Sequence, residues 1–143
     1  MAVYSKILVA IDLSEEAHQV IRRAMEVAEI HGADIQVVHV EETPITGYGP
    51  MIGHPIGGEM QLREEMLAVM EKIADQHGLA HECLHCLLGH PATAINDLAI
   101  KLKASLIVVG SHGKHGIRLL LGSTANAILQ TAPCDALLVK IVE

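Results

Sequence analysis

Lys6-Ile-Leu-Val-Ala-Ile-Asp12 carries no polar residue between its two ends. A strand with one wet face alternates apolar and polar residues, so this unbroken β-rich run reads as a strand buried on both faces, as in a parallel sheet. Asp12-Leu-Ser14 follows, with Ser14 as the expected helix N-cap and Glu15 and Glu16 suited to the positive end of a helix dipole. Ala17, Val20, Ile21, Ala24, Val27 and Ala28 then recur at helical spacing, and His31-Gly32 marks the stop.

The same alternation continues along the chain. Ile35 to Val40 is a second apolar strand. Glu41 to Gly58 contains Pro44, Pro50, Pro55 and five glycines, which predicts a long flexible loop at about 41–58. Leu62, Met66, Val69, Met70 and Ile73 restore helical spacing up to His77-Gly78, and Met66 and Met70 fall at core positions. Glu82 to Leu88 reads as a third strand, and Pro91 opens a helix with Ile95, Leu98, Ala99 and Leu102 on one face. Leu106-Ile-Val-Val109 is a fourth strand, Gly122 to Gln130 a short helix, and Ala136 to Ile141 a fifth strand after Pro133.

Strands and helices in strict alternation predict a single α/β domain over residues 1–143. Its expected form is a five-stranded parallel sheet, order 3-2-1-4-5, with right-handed crossovers and helices on both faces. Ligands of such sheets settle outside the carboxyl ends of the strands where the winding reverses, here between the first and fourth strands. Asp12 and Gly110 then face one another across a crevice.

Composition narrows the function classes. Half of the residues are apolar, enough for a core without staples. No run reaches the roughly 18 apolar residues of a membrane span, and Met1 to Lys6 has no signal-peptide core, so a soluble cytoplasmic protein is expected. Three cysteines, Cys83, Cys86 and Cys134, are too few for a disulfide scaffold and suit reduced thiols. A net charge of −7, no Phe and no Trp remove both the basic surface and the stacking platforms of nucleic-acid binders.

Gly110-Ser-His-Gly113-Lys114-His115-Gly116 begins where the fourth strand ends, and Gly122-Ser123-Thr124 begins the next helix. Glycines let backbone N–H groups approach an anion, a helix N-terminus adds free donors, and Lys114 and Arg118 supply mobile positive charge. The loop lacks the Gly-Lys-Ser/Thr run of a Walker sequence, and its glycines do not follow the first strand as those of a dinucleotide fingerprint do. From composition alone, an anion cradle and a set of ordinary turns capped by Ser123 explain it equally well. His112 and His115 read as solvated loop residues, and Asp12 as either a ligand or the turn before Ser14.

Four separated segments resemble the universal stress protein family: the opening Lys-Ile-Leu-Val-Ala-Ile-Asp-Leu-Ser14, Val-Val-His-Val40, Gly110-Ser-His-Gly-Lys with Leu-Leu-Leu-Gly-Ser-Thr124, and Ala-Pro-Cys-Asp-Ala-Leu-Leu-Val139. The resemblance implies the adenine nucleotide alpha hydrolase-like fold and a stress-response regulatory protein binding ATP or a related adenine nucleotide, with Mg2+ as the companion of the polyphosphate. It places Asp12 at the ribose, Val40 backbone groups at the adenine, and Ala10 and Ile11 around the base. Gly110 belongs to the phosphate-loop motif, with Gly113, Lys114, Gly122, Ser123 and Thr124 toward the phosphates. It also implies a homodimer through the C-terminal strand and protein partners of unknown identity.

One feature departs from the ATP-binding pattern, which separates its second and third glycines by nine residues. Here eight, Lys114 to Leu121, lie between Gly113 and Gly122. Losing one residue displaces donors by up to roughly 3 Å, which a pliant Gly116 can absorb. A second branch of the family lacks the glycines and shares the Asp-Leu-Ser14 opening. The alternative reading is therefore a nucleotide-independent interaction protein whose loop holds only a small anion. No paired carboxylates and no base for water accompany the loop, so at most slow ATP hydrolysis or autophosphorylation is expected. His81-Glu-Cys83-Leu-His85-Cys86 packs thiols and imidazoles together, yet on a strand Cys86 would point away from the other three, so neither a metal site nor a redox pair is expected.

Overall fold

Lys6–Ala10 forms β1 of a computed structural model that describes residues 3–42, 58–111 and 123–142. Along the chain follow α1 (Ala17–His31), β2 (Asp34–Glu41), α2 (Gly58–His77), β3 (Leu84–Leu88), α3 (Pro91–Leu102), β4 (Leu106–Gly110), α4 (Ser123–Thr131) and β5 (Asp135–Val139). All strand pairs are parallel, in the order β3-β2-β1-β4-β5. This is the expected order, 3-2-1-4-5.

The two-sided burial read from the sequence appears as two cores divided by the sheet. Ile7, Val9, Val37, Leu106 and Val108 pack with α1 and α2 on one face. Leu8, Val38, Ile107 and Val109 pack with α3 and α4 on the other. Right-handed crossovers require this division: β1 to β2 and β2 to β3 wind one way, whereas β3 to β4 and β4 to β5 wind the other. The reversal lies between β1 and β4.

Helix ends follow local chemistry in most places. Gly32 closes α1 at φ 63°, with its N–H on the Ala28 carbonyl. Pro91 opens α3, and the His90 imidazole accepts from the Thr93 N–H. Ser14 behaves otherwise than expected: α1 begins at Ala17, and the Ser14 hydroxyl turns back onto Asp12 instead of capping the helix. The carboxylate two residues earlier is a stronger acceptor for that hydroxyl.

The third strand is shorter than the sequence suggested. His81–Cys83 forms a single 3-10 turn, and β3 starts at Leu84. That turn changes the phase of the side chains, so Cys83 and Cys86 both enter the core beneath α1 and α2 instead of pointing apart. The fifth strand likewise covers Asp135–Val139, not Ala136 to Ile141. Ile141 instead donates its N–H to Ser111 Oγ at 3.0 Å, and Val142 exchanges two hydrogen bonds with Gln19. Most of the loop expected at 41–58 lies outside the described residues. No helix among the described residues is long and apolar enough to cross a membrane.

Leu8 has 0% exposure on the central strand, so Leu8→Ala should cost about 2–5 kcal/mol in urea unfolding. Ile100, 62% exposed on α3, should tolerate alanine within about 0.5 kcal/mol.

Candidate functional site

The crevice begins where β1 runs out. Ile11 makes one more bond, from its N–H to the Val38 carbonyl at 2.9 Å, and is buried. Asp12 follows at the rim. Its Oδ1 accepts from the Ser14 N–H at 3.2 Å and from the Ser14 hydroxyl, a local turn that fixes the carboxylate. Its Oδ2 is shielded from solvent and has no hydrogen-bond partner among the described residues. A carboxylate oxygen only accepts, so the group that satisfies Oδ2 must bring a donor.

The opposite wall comes from β4. The last β1–β4 pair is Val9 with Val108, so Ala10 to Asp12 on one strand and Val109 to Ser111 on its neighbour follow directly after the final rung. Gly110 pairs with Val139, and Ser111 donates its N–H to the Val139 carbonyl at 2.8 Å, which anchors the root of the glycine loop to β5. Ser123 and Thr124 are the first residues of α4, at the end where unpaired N–H groups and the positive dipole end gather. Ala125 and Ile128 seat this helix in the core. Asn96 on α3 holds its far end, donating from Nδ2 to Thr131 Oγ1 at 2.8 Å.

Of the residues selected from the sequence, Ala10, Ile11, Asp12, Val40 and Gly110 thus lie at or just beyond the carboxyl ends of β1, β2 and β4. Ser123 and Thr124 lie at the start of the helix after β4. Gly113, Lys114 and Gly122 lie outside the described residues, as do His112, His115, Gly116 and Arg118.

Two contributors were missed. Ser14 orients Asp12, as described. His39, 6% exposed on β2, places Nδ1 2.9 Å from the Ile11 carbonyl at the crevice edge. A polar residue inside Val-Val-His-Val40 was the available signal, since an imidazole buried in an apolar strand must find a partner.

Comparison with known proteins agrees with the family resemblance and the fold. The model of the universal stress protein family matches residues 3–140. Universal stress protein A homolog 1 of Coxiella burnetii is 41% identical over 142 residues, covering 98% of this chain and 99% of that protein. Among solved structures, universal stress protein UspA from Lactobacillus plantarum superposes with a TM-score of 0.77 at 23% identity, over 97% of this chain and 99% of that one. A universal stress protein crystallised in complex with cAMP gives 0.65 at 22% identity, over 96% of this chain and 97% of that one.

The thiol and imidazole cluster beside β3 is absorbed by packing. His81 bonds Asp75 through Nε2 at 2.7 Å and faces Glu71 through Nδ1 at 3.3 Å, while His85 bonds Gln36 at 2.8 Å. Among the described residues no group of three or more His, Cys, Asp or Glu side chains is arranged to hold a metal ion. Burial pushes the thiols of Cys83, Cys86 and Cys134 above the ordinary cysteine range, which depletes the reactive thiolate. At pH 7 the folded protein should react with Ellman's reagent at least about ten-fold more slowly than the urea-unfolded chain. Equal rates would show the thiols to be open.

Proposed function

The chain belongs to the universal stress protein family, and from that premise we propose that it is a nucleotide-responsive regulatory protein taking ATP or a related adenine nucleotide in the crevice between β1 and β4. The observation that carries this reading is the Asp12 carboxylate at the switch point, fixed by Ser14 through one oxygen and without a partner on the other. A ribose offers adjacent hydroxyl donors of the kind that oxygen lacks.

In this proposal Asp12 holds the ribose, Ala10 and Ile11 line the base, and the backbone of Val40 meets the adenine. Gly110 opens the phosphate loop, and Gly113, Lys114, Gly122, Ser123 and Thr124 hold the phosphates, with Mg2+ as a companion of the polyphosphate. The nucleotide supplies a state to be read, not a bond to be turned over, so hydrolysis or autophosphorylation is at most slow. The protein acts in the cytoplasm through protein partners, as a homodimer joined along β5. That strand has β4 on one side only and carries half-buried Ala136, Leu137 and Leu138, an edge that benefits from cover. The eight-residue spacing from Lys114 to Leu121 favours one competing reading, a nucleotide-independent interaction protein whose loop takes only a small anion.

Calorimetric titration with ATP and Mg2+, beside inorganic phosphate alone, separates the two. The wild type should bind ATP, Asp12→Ala should weaken it by about 10- to 100-fold, the loss of one hydrogen bond to a charged group, and Gly113→Val should abolish it. Phosphate binding without ATP binding would establish the competing reading. In sedimentation at micromolar concentration the protein should run as a dimer, and a monomer would remove the β5 interface.

A further inference from the structure

His39 is buried, and its ring meets the Ile11 carbonyl just beyond the end of β1. In a parallel pair, a residue that gives its N–H to one partner carbonyl receives, on its own carbonyl, the N–H two residues further along the partner. Ile11 gives its N–H to the Val38 carbonyl, so regular pairing would next place the Val40 N–H on the Ile11 carbonyl. Among the described residues that rung is not made. The Ile11 carbonyl lies instead 2.9 Å from His39 Nδ1.

A carbonyl only accepts, so Nδ1 carries the hydrogen and donates it. Nε2 is buried without a hydrogen-bond partner among the described residues, 3.7 Å from the Glu41 carboxylate. The imidazole thus substitutes for a backbone N–H. Val40 directs its side chain into the core with α3 and α4, and the alternation of a parallel ladder, in which Val38 faces β1, turns the Val40 N–H and C=O to that same side, past the last bond that Ile11 makes. A neighbouring donor and acceptor there match adenine, whose Watson–Crick edge presents an acceptor beside a donor.

We infer that His39 is a positioning residue of the nucleotide site: by taking the Ile11 carbonyl it ends the β1–β2 ladder one rung early and leaves the Val40 peptide groups open to the edge of adenine. This rests on the adenine-nucleotide reading of the crevice. His39 itself touches no ligand; it acts through Ile11 and Val40.

The test uses the full chain with His39→Leu, which removes the donor, and His39→Gln, which keeps one. ATP affinity should fall at least ten-fold in His39→Leu and recover in part in His39→Gln, while the affinity for inorganic tripolyphosphate stays unchanged in both. Without ligand, nitrogen NMR of the wild-type imidazole should show hydrogen on Nδ1, and the Val40 amide should exchange more slowly in His39→Leu as the rung closes. Unchanged ATP affinity, or equal losses of ATP and tripolyphosphate, would overturn the inference. So would a wild-type imidazole with a bare Nδ1. If the wild type binds no adenine nucleotide, the proposed function fails on its own, and the imidazole signal and Val40 exchange still decide whether His39 interrupts the ladder.

Discussion

Leu8 and Val9 are adjacent residues on opposite faces of β1, and each has 0% exposure. Fully burying a side chain of this size contributes roughly 1.5–3 kcal/mol, and burying neighbours on both faces requires a helical layer on each side. Parallel pairing then obliges each connection to cross over the sheet, and the handedness of the strands fixes which face every helix covers. From the double burial of one central strand follow α1 and α2 on one side and α3 and α4 on the other.

That arrangement creates the crevice without any contribution from a ligand. The winding reverses between β1 and β4, so α1 follows β1 onto one face of the sheet and α4 lies on the other. Peptide groups there have lost their ladder partners, and the N-terminus of α4 adds donors that no helix satisfies internally. Asp12 lies at this margin, and one of its carboxylate oxygens has no partner among the described residues. Polar atoms that cannot pair within the fold are what a polar ligand finds available.

Much of this was legible in the chain. The strand and helix order, the two-faced burial and the positions of Asp12, Gly110 and Ser123 at the ends of elements follow from apolar periodicity and from glycine and proline punctuation. The departures share one cause, competition between a local rule and a partner brought in by the fold. Ser14 is a good N-cap by type, but a carboxylate two residues away engages its hydroxyl. Cys83 and Cys86 should point apart on an extended strand, but the turn at His81–Cys83 rotates the first into the core that holds the second.

His39 marks the boundary between the two kinds of information. The sequence by itself determined that an imidazole would sit within an apolar strand beside Val40, and that the glycine-rich segment would follow the strand facing Asp12. Only the tertiary structure decided that the imidazole meets the Ile11 carbonyl, 28 positions away in the chain, at the point where β1 stops pairing. Periodicity encodes which face a residue occupies because that depends on local backbone geometry. The partner across the sheet depends on register and on where a neighbouring strand ends, and both are set by the packing of the whole domain.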